Sequence, residues 1–544
     1  MRPSRWIALV LVAACSISII TAGALFARKP LKAPKPVYVS PAENFGYLPP
    51  PVDLTGLRPV TAGVSGQMAP PASWDWRSLG GVTSVKNQNP YGTCWAFAGI
   101  GDIESKVLIQ ESSSNDYSEI NVVACNATGT TCNSGGNAWI VANYLSLLGT
   151  VNESCNAYPD GCPSPSCVNP ACTYFKRITE WRIIPEDETS IKNAIMTYGP
   201  VYTGMYASFS GFSTYNGTGC LQYTGTEDQN HGVLIVGWDD TMCGGSGGWI
   251  VKNSWGTSWG DDGYFYIKYG SARVGENVSV FTGYKDYDST ETIYYYDDYG
   301  WWSSVGYGDG DDWALVAFTP TGLPSEGSLL KAVDIWATWA PTSYSIEIYD
   351  EFDGTTPTSR LVGPMTGTKT EAGYYSVALP TPLVVYSNDP IYIVVEFNTP
   401  GYDYPIPFDD SGPMETNKSY LSDTGISGSW EALDAGNYEY GDIAVRARVE
   451  PKPTEAPCSW EGDPLWYYCF GWYEGYATSQ PAGHFDYDIY AGQSQEWVIY
   501  WGNVTWEGTC MANDTFCWTA ESKGGWTLDL WGQNNPNVPG ICNY

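Results

Sequence analysis

The sequence predicts a multidomain chain: an α+β domain of two lobes, then an all-β sandwich, then a small disulfide-containing, β-rich module. Length is the first observation behind this, because 544 residues suit about three domains of ordinary size. The second is that helical periodicity is confined to the first half of the chain and gives way to strand alternation. The third is composition. With 25 Trp and 41 Tyr beside 60 Gly and 37 Pro, the chain favours strands and loops over helical bundles.

The elements follow in order. Arg2 and Arg5 precede an apolar run from Trp6 to Leu25, and Ala22-Gly23-Ala24 offers a small-residue cleavage site. Residues 1–27 therefore read as a secretion signal, and the run is also long enough to serve as a signal anchor. Residues 28–71 are Pro-rich and read as a linker or short prosegment. Between 72 and 284, apolar residues at helical spacing predict helices over Cys94 to Gln110, Asn137 to Leu148 and Thr189 to Tyr198. Strands are expected over Val201 to Tyr206, Gly232 to Trp238, Trp249 to Asn253 and Tyr264 to Tyr269. A helical half followed by a β half implies two lobes with a cleft between them. From 285 to 450 the runs alternate with period two, as in Ala332 to Trp336, Tyr344 to Tyr349 and Ile391 to Phe397, the pattern of a sandwich. Pro451 to Pro457 is a stiff linker. Residues 458–544 carry five cysteines and many aromatics, and form the expected β-module.

Charge and cysteines bound the function. A formal net charge of −33 repels nucleic acid and anionic membranes, so neither is expected as a partner, and no membrane span is expected beyond the N-terminal segment. The region 72–284 holds Cys94 and eight other cysteines (125, 132, 155, 162, 167, 172, 220 and 243). Eight can pair and leave Cys94 as a free thiol, which fits an oxidising compartment. No C-x-x-C pair points to zinc. Seven N-x-S/T triplets, at Asn126, Asn152, Asn216, Asn277, Asn417, Asn503 and Asn513, suit a secreted or surface protein.

The chemistry centres on Cys94, His231 and Asn253. A thiol, an imidazole and an amide can together make an activated nucleophile. Cys94 begins a predicted helix, whose free N–H groups and dipole favour a thiolate, and an imidazolium at His231 would favour it further. The chain has only one other histidine, His484.

The segments around these residues resemble the papain family of cysteine peptidases. They are Gln88 with Cys94-Trp95-Ala96-Phe97, Cys132-Asn133-Ser134-Gly135-Gly136, Asn230-His231-Gly232, and Asn253-Ser254-Trp255-Gly256. The resemblance implies a papain-like fold and peptide-bond hydrolysis through a Cys94 thiolate, a His231 imidazolium and an acyl-enzyme. It also implies that Asn253 orients the imidazole, and that Gln88 and the Cys94 N–H bind the oxyanion. Gly135, Gly136 and Trp255 become the expected substrate-facing residues, with Trp255 shielding the His231–Asn253 bond. Two departures stand out. Tyr91 replaces the cysteine usual three residues before the nucleophile, so Cys132 must pair elsewhere. The stretch before Trp74 is too short for the family's long helical prosegment.

Residues 285–450 resemble, more loosely, the lectin-like sandwich that follows such peptidases in secreted bacterial and archaeal proteins. No cofactor is expected for the peptidase. In the sandwich, aromatic faces could stack on glycans, and Asp297-Asp298, Asp311-Asp312 or Asp409-Asp410 could hold Ca²⁺. The alternative function is a surface adhesin or carbohydrate-binding protein on an inactive peptidase-like scaffold.

Overall fold

The computed structural model describes residues 29–36, 45–54, 56–57, 69–158, 167, 172–434 and 441–452, and the backbone of the strands between 467 and 528. The signal segment lies outside the described residues, as do Cys458, Cys517 and Cys542 of the last module, while Cys469 and Cys510 are described in backbone alone.

Helix α1 (Cys94–Glu111) is the axis of the first lobe, with every residue from Cys94 to Val107 buried. A helix buried all round has no polar face, so its charged groups need partners. Glu104 finds them in Thr83, Lys86 and the Tyr117 N–H. Lys86 also binds Glu119, and the surrounding carboxylates hold its ammonium charged by raising its pKa against the pull of burial. Helix α2 (Glu119–Cys125) has seven residues, too few to show a period, and is stopped in place by the Ser118 cap on the Asn121 N–H. Asn137 caps α3 (Ala138–Leu147), and Asp187 caps α4 (Glu188–Tyr198), which ends at Gly199.

The second lobe is a sheet running Tyr264–Lys268, Gly248–Lys252, His231–Asp239, Val201–Met205, Val278–Asp286 and Lys176–Ile184. It does not end there. Gly373–Val385 of the sandwich pairs with Lys176–Ile184, Tyr374 opposite Trp181, and the ladder continues through Ser328–Ala337, Val445–Pro451 and Thr292–Tyr294. With Ser73–Asp75 paired off the path to His231–Asp239, peptidase and sandwich thus share one eleven-stranded sheet. The strand Val278–Asp286 runs through the position at which the pattern of the sequence changes.

The facing sheet of the sandwich is six-stranded, centred on Thr342–Phe352, Ile391–Asn398 and Asp311–Phe318. Ile346 and Ile348 alternate into its core, as the period of two requires, beside Val333, Ile335, Ile393 and Phe397. Leu31–Lys32 adds an edge strand to a small third sheet through Ser303–Gly306. Among the described residues no helix is long and apolar enough to cross a membrane.

Disulfides join Cys125 to Cys167, Cys155 to Cys172 and Cys220 to Cys243, and Cys132 is also disulfide-bonded. Such bonds persist in oxidising compartments. Cys94 is free.

Candidate active site

Cys94 opens α1, and its thiol accepts the Gly232 N–H at 3.2 Å. Gly232 follows His231 on a strand packed against that helix, so the fold carries the imidazole to the thiol. His231 Nε2 meets Asn253 Oδ1 at 2.8 Å, and the same oxygen accepts the Ser254 N–H. A carbonyl oxygen cannot donate, so Nε2 carries the proton and Nδ1 is left as a free base. Nδ1 is buried without a hydrogen-bond partner. The Trp255 ring lies over the imidazole at 5.2 Å between centroids, which keeps water from the His231–Asn253 bond.

Gln88 is held by the residue that follows Asn253. Its Oε1 accepts the Ser254 hydroxyl at 2.7 Å, which turns Nε2 outward as a donor. Tyr158, from the cysteine-rich loop, donates to the Gln88 carbonyl and bonds Thr93, the residue before the nucleophile. Tyr158 also packs on Tyr91 at 6.2 Å, so two rings meet where the family would have a disulfide half. Ser254 and Tyr158 are positioning residues that the sequence reading missed. Nothing in Ser254 or Tyr158 taken alone signals it, because their partners lie 166 and 70 residues away.

The cleft is filled by the chain's own residues 45–54. The Phe45 carbonyl accepts from Gln88 Nε2 at 3.1 Å, and the Tyr91 carbonyl accepts from the same nitrogen at 2.9 Å. Gly136 donates to the Gly46 carbonyl and accepts from the Leu48 N–H, both at 2.8 Å, so Tyr47 pairs with Gly136 in parallel. Asn137 Nδ2 holds the Pro49 carbonyl at 2.9 Å. The Phe45 ring stands edge-on to His231 at 5.5 Å and against Trp255 at 5.3 Å. Gly46, at φ +113°, passes so near Gly92 that any side chain would strike its carbonyl. From sequence this stretch is expected only as a linker or short prosegment, with no place in the cleft assigned to it.

Occlusion sets the protonation state. Cys94 and His231 are both fully buried. Burial pushes the thiol up to about 12, against the pull of the Gly232, Trp95 and Cys94 N–H groups. Burial takes the imidazole down to about 4, against the Asn253 hydrogen bond. The closed site therefore holds a neutral thiol and a neutral imidazole. The thiolate–imidazolium pair expected from sequence is therefore not the form that this closed site favours.

The remaining expected sites divide. Gly135 and Gly136 line the cleft, Gly136 by direct pairing. Asp297 is committed to Arg446, Asp410 to Lys35, and Asp409 to the N–H groups of Tyr299, Ser411 and Gly412. Asp312 can approach Asp309 and Asp423, with one carboxylate oxygen of each within 4.8 Å of the others. Trp301 and Trp336 are each 1% exposed and fill the core between peptidase and sandwich instead of offering faces to a sugar. The amides of Asn126 and Asn277 donate inside the protein, to Val122 and Val123 and to Gln229.

Comparison with known proteins agrees with this geometry. A family model described as papain family cysteine protease matches residues 70–283, and one described as lectin like domain matches 293–447. Cathepsin S of Rattus norvegicus is 31% identical over 257 residues, covering 46% of this chain and 75% of that protein. Cathepsin K of Gallus gallus is 36% identical over 203 residues, covering 36% and 58%. The chain spans 46% to 66% of the length of the first four curated relatives it matches. Among solved structures, the cysteine protease and lectin-like domains of Cwp84, a surface layer associated protein of Clostridium difficile, superpose with a TM-score of 0.60 at 20% identity. That match covers 71% of this chain and 91% of the other, and it extends the shared fold across both domains.

Proposed function

Because the chain belongs to the papain family of cysteine proteases, we propose that it is a secreted or surface-exposed endopeptidase, with residues 45–54 as its built-in plug. The observation that carries this is the Phe45 carbonyl on Gln88 Nε2, since a donor already gripping the carbonyl of a segment laid along Gly136 is what an oxyanion site must do.

In the open site the Cys94 proton passes to His231 Nδ1. The thiolate adds to the scissile carbonyl carbon, and the oxyanion is held by Gln88 Nε2 and the Cys94 N–H. Collapse breaks the C–N bond, and the amine leaves with the proton from His231. Water then gives a proton to His231 and its hydroxide adds to the thioester. The acid departs and the thiol is restored. Asn253 keeps Nε2 as the donor throughout, so that Nδ1 is always the nitrogen that exchanges protons.

Direction explains why the plug survives. The leaving amine must lie by His231, so the acyl side of a substrate lies along Gly136. Residues 45–48 run the other way, with Phe45 by His231 and Leu48 by Gly136. The peptide bond in the cleft thus has its polarity reversed relative to the attacking groups.

Replacing the nucleophile tests the proposal. Cys94→Ala is expected to abolish turnover of peptide substrates and labelling by a thiol-directed epoxide, with unchanged circular dichroism. Comparable turnover in that variant, or failure of the epoxide to label Cys94 in reduced, plug-displaced protein, overturns it.

A further inference from the structure

The plug also fills a side-chain pocket. Tyr47 is 1% exposed, and its hydroxyl donates to Gln229 Oε1 at 3.0 Å. Gln229 cannot turn. Its Nε2 donates to the Arg273 and Glu276 carbonyls at 3.1 and 3.2 Å, two acceptors that would repel an oxygen in the same place. Its Oε1 is thereby aimed at the ring of Tyr47, and Asn277 Nδ2 donates to it from the side at 2.7 Å. Room for the ring comes from Gly204, where a side-chain carbon would sit 2.8 Å from Tyr47 Cζ. The pocket therefore takes an aromatic ring and is closed at its end by a fixed acceptor.

Its place along the cleft follows from the plug. One residue, Gly46, separates the carbonyl on Gln88 from the residue whose side chain enters the pocket. A substrate running the opposite way, with its scissile carbonyl on Gln88 and its acyl side along Gly136, reaches the same pocket with the residue just before the attacked one. We infer that this pocket selects tyrosine at that position, with Gln229 reading the phenol hydroxyl. The inference rests on the peptidase reading above and names its substrate class: peptides carrying tyrosine one residue before the cleaved residue. Phenylalanine fits the same space but leaves Oε1 with the Asn277 donor alone in a dry site, an asymmetry that favours tyrosine by roughly fivefold.

The test uses the full chain carrying Tyr47→Ala, so that the pocket is vacated, and fluorogenic peptides that differ only in Tyr, Phe or Leu at this position. The expected result is a kcat/KM for Tyr about five times that for Phe, with Leu lower still. In the same background Gln229→Met is expected to bring the Tyr-to-Phe ratio to about one, with epoxide labelling of Cys94 checking that the site remains assembled. A ratio near one before the change, or one that survives Gln229→Met, overturns the pocket assignment and leaves the peptidase reading standing. Absence of all cleavage together with failed labelling brings down both.

Discussion

Two flanks of the peptidase touch it in opposite ways. The N-terminal flank, residues 45–54, enters the cleft with neutral contacts: hydrogen bonds to Gln88, Gly136, Asn137 and Gln229, and ring contacts to His231 and Trp255. The C-terminal flank joins it through a shared sheet and buried charge. Arg446, fully buried, binds Asp297 and reaches Asn143 and Ser146 of α3. Arg448 binds Asp334 and Glu291 and donates to the Ser146 carbonyl. The buried ion pair that crosses the junction is Arg177 with Glu291, the carboxylate that Arg448 also binds. A neutral hydrogen bond given back to water costs about 1 kcal/mol net, whereas breaking a buried ion pair strands a charge. The first flank is built to be removed and the second to stay.

The largest effect is expected at the permanent flank. Arg446→Ala leaves Asp297 buried without its cation, and should destabilise the protein by about 3–5 kcal/mol in urea unfolding. Burial already pushes Asp297 up to about 7 against the pull of Arg446, so part of the loss is relieved where the carboxyl can take up a proton. Peptidase and sandwich fluorescence should lose structure in one coincident transition. Two separate transitions, with only the sandwich shifted, would break the comparison, because the junction would then be a docked contact and not a common wall.

Next comes the removable flank. Tyr47→Ala empties a buried aromatic site and should raise alkylation of Cys94 by roughly a hundredfold at neutral pH, since Phe/Trp→Ala losses in a core are several kcal/mol. The pH profile should change with it. In the closed chain the thiolate is disfavoured, so labelling is slow and climbs with pH toward about 12. In the opened variant, water and the His231 imidazolium stabilise the thiolate, and the rate should be flat across neutral pH. A closed chain that alkylates at the same rate and with the same flat profile would show that residues 45–54 do not guard the site.

The legibility of the chain divides along the same line. Cys94, His231, Asn253 and Gln88 were readable because each stands in a short segment that resembles the family, and the fold brings those segments together. Helices α1, α3 and α4 were readable from their period. The plug was not, because its hold on Gly136 and Asn137 is made by backbone groups, which every sequence has. Lys176–Ile184 was missed since its burial does not alternate, and its pairing with Val278–Asp286 shifts register near Thr179. Arg446 and Arg448 alternate with Val445, Ala447 and Val449, a pattern that alone describes a solvent face. Helix α3 covers that face, and no local signal announces a cover contributed from 300 residues away.

The smallest effect tests whether the plug is held by shape or by chemistry. Tyr47→Phe keeps the ring and deletes only the hydroxyl that Gln229 accepts. If neutral contacts make the flank removable, the loss should be about 1 kcal/mol, or roughly a fivefold rise in Cys94 alkylation at neutral pH. Gln229 Oε1 keeps the Asn277 donor, which limits the cost of the missing partner. A rise as large as that of Tyr47→Ala would mean that the single hydrogen bond carries the closure, and the plug would then resemble the charged junction more than the contrast allows.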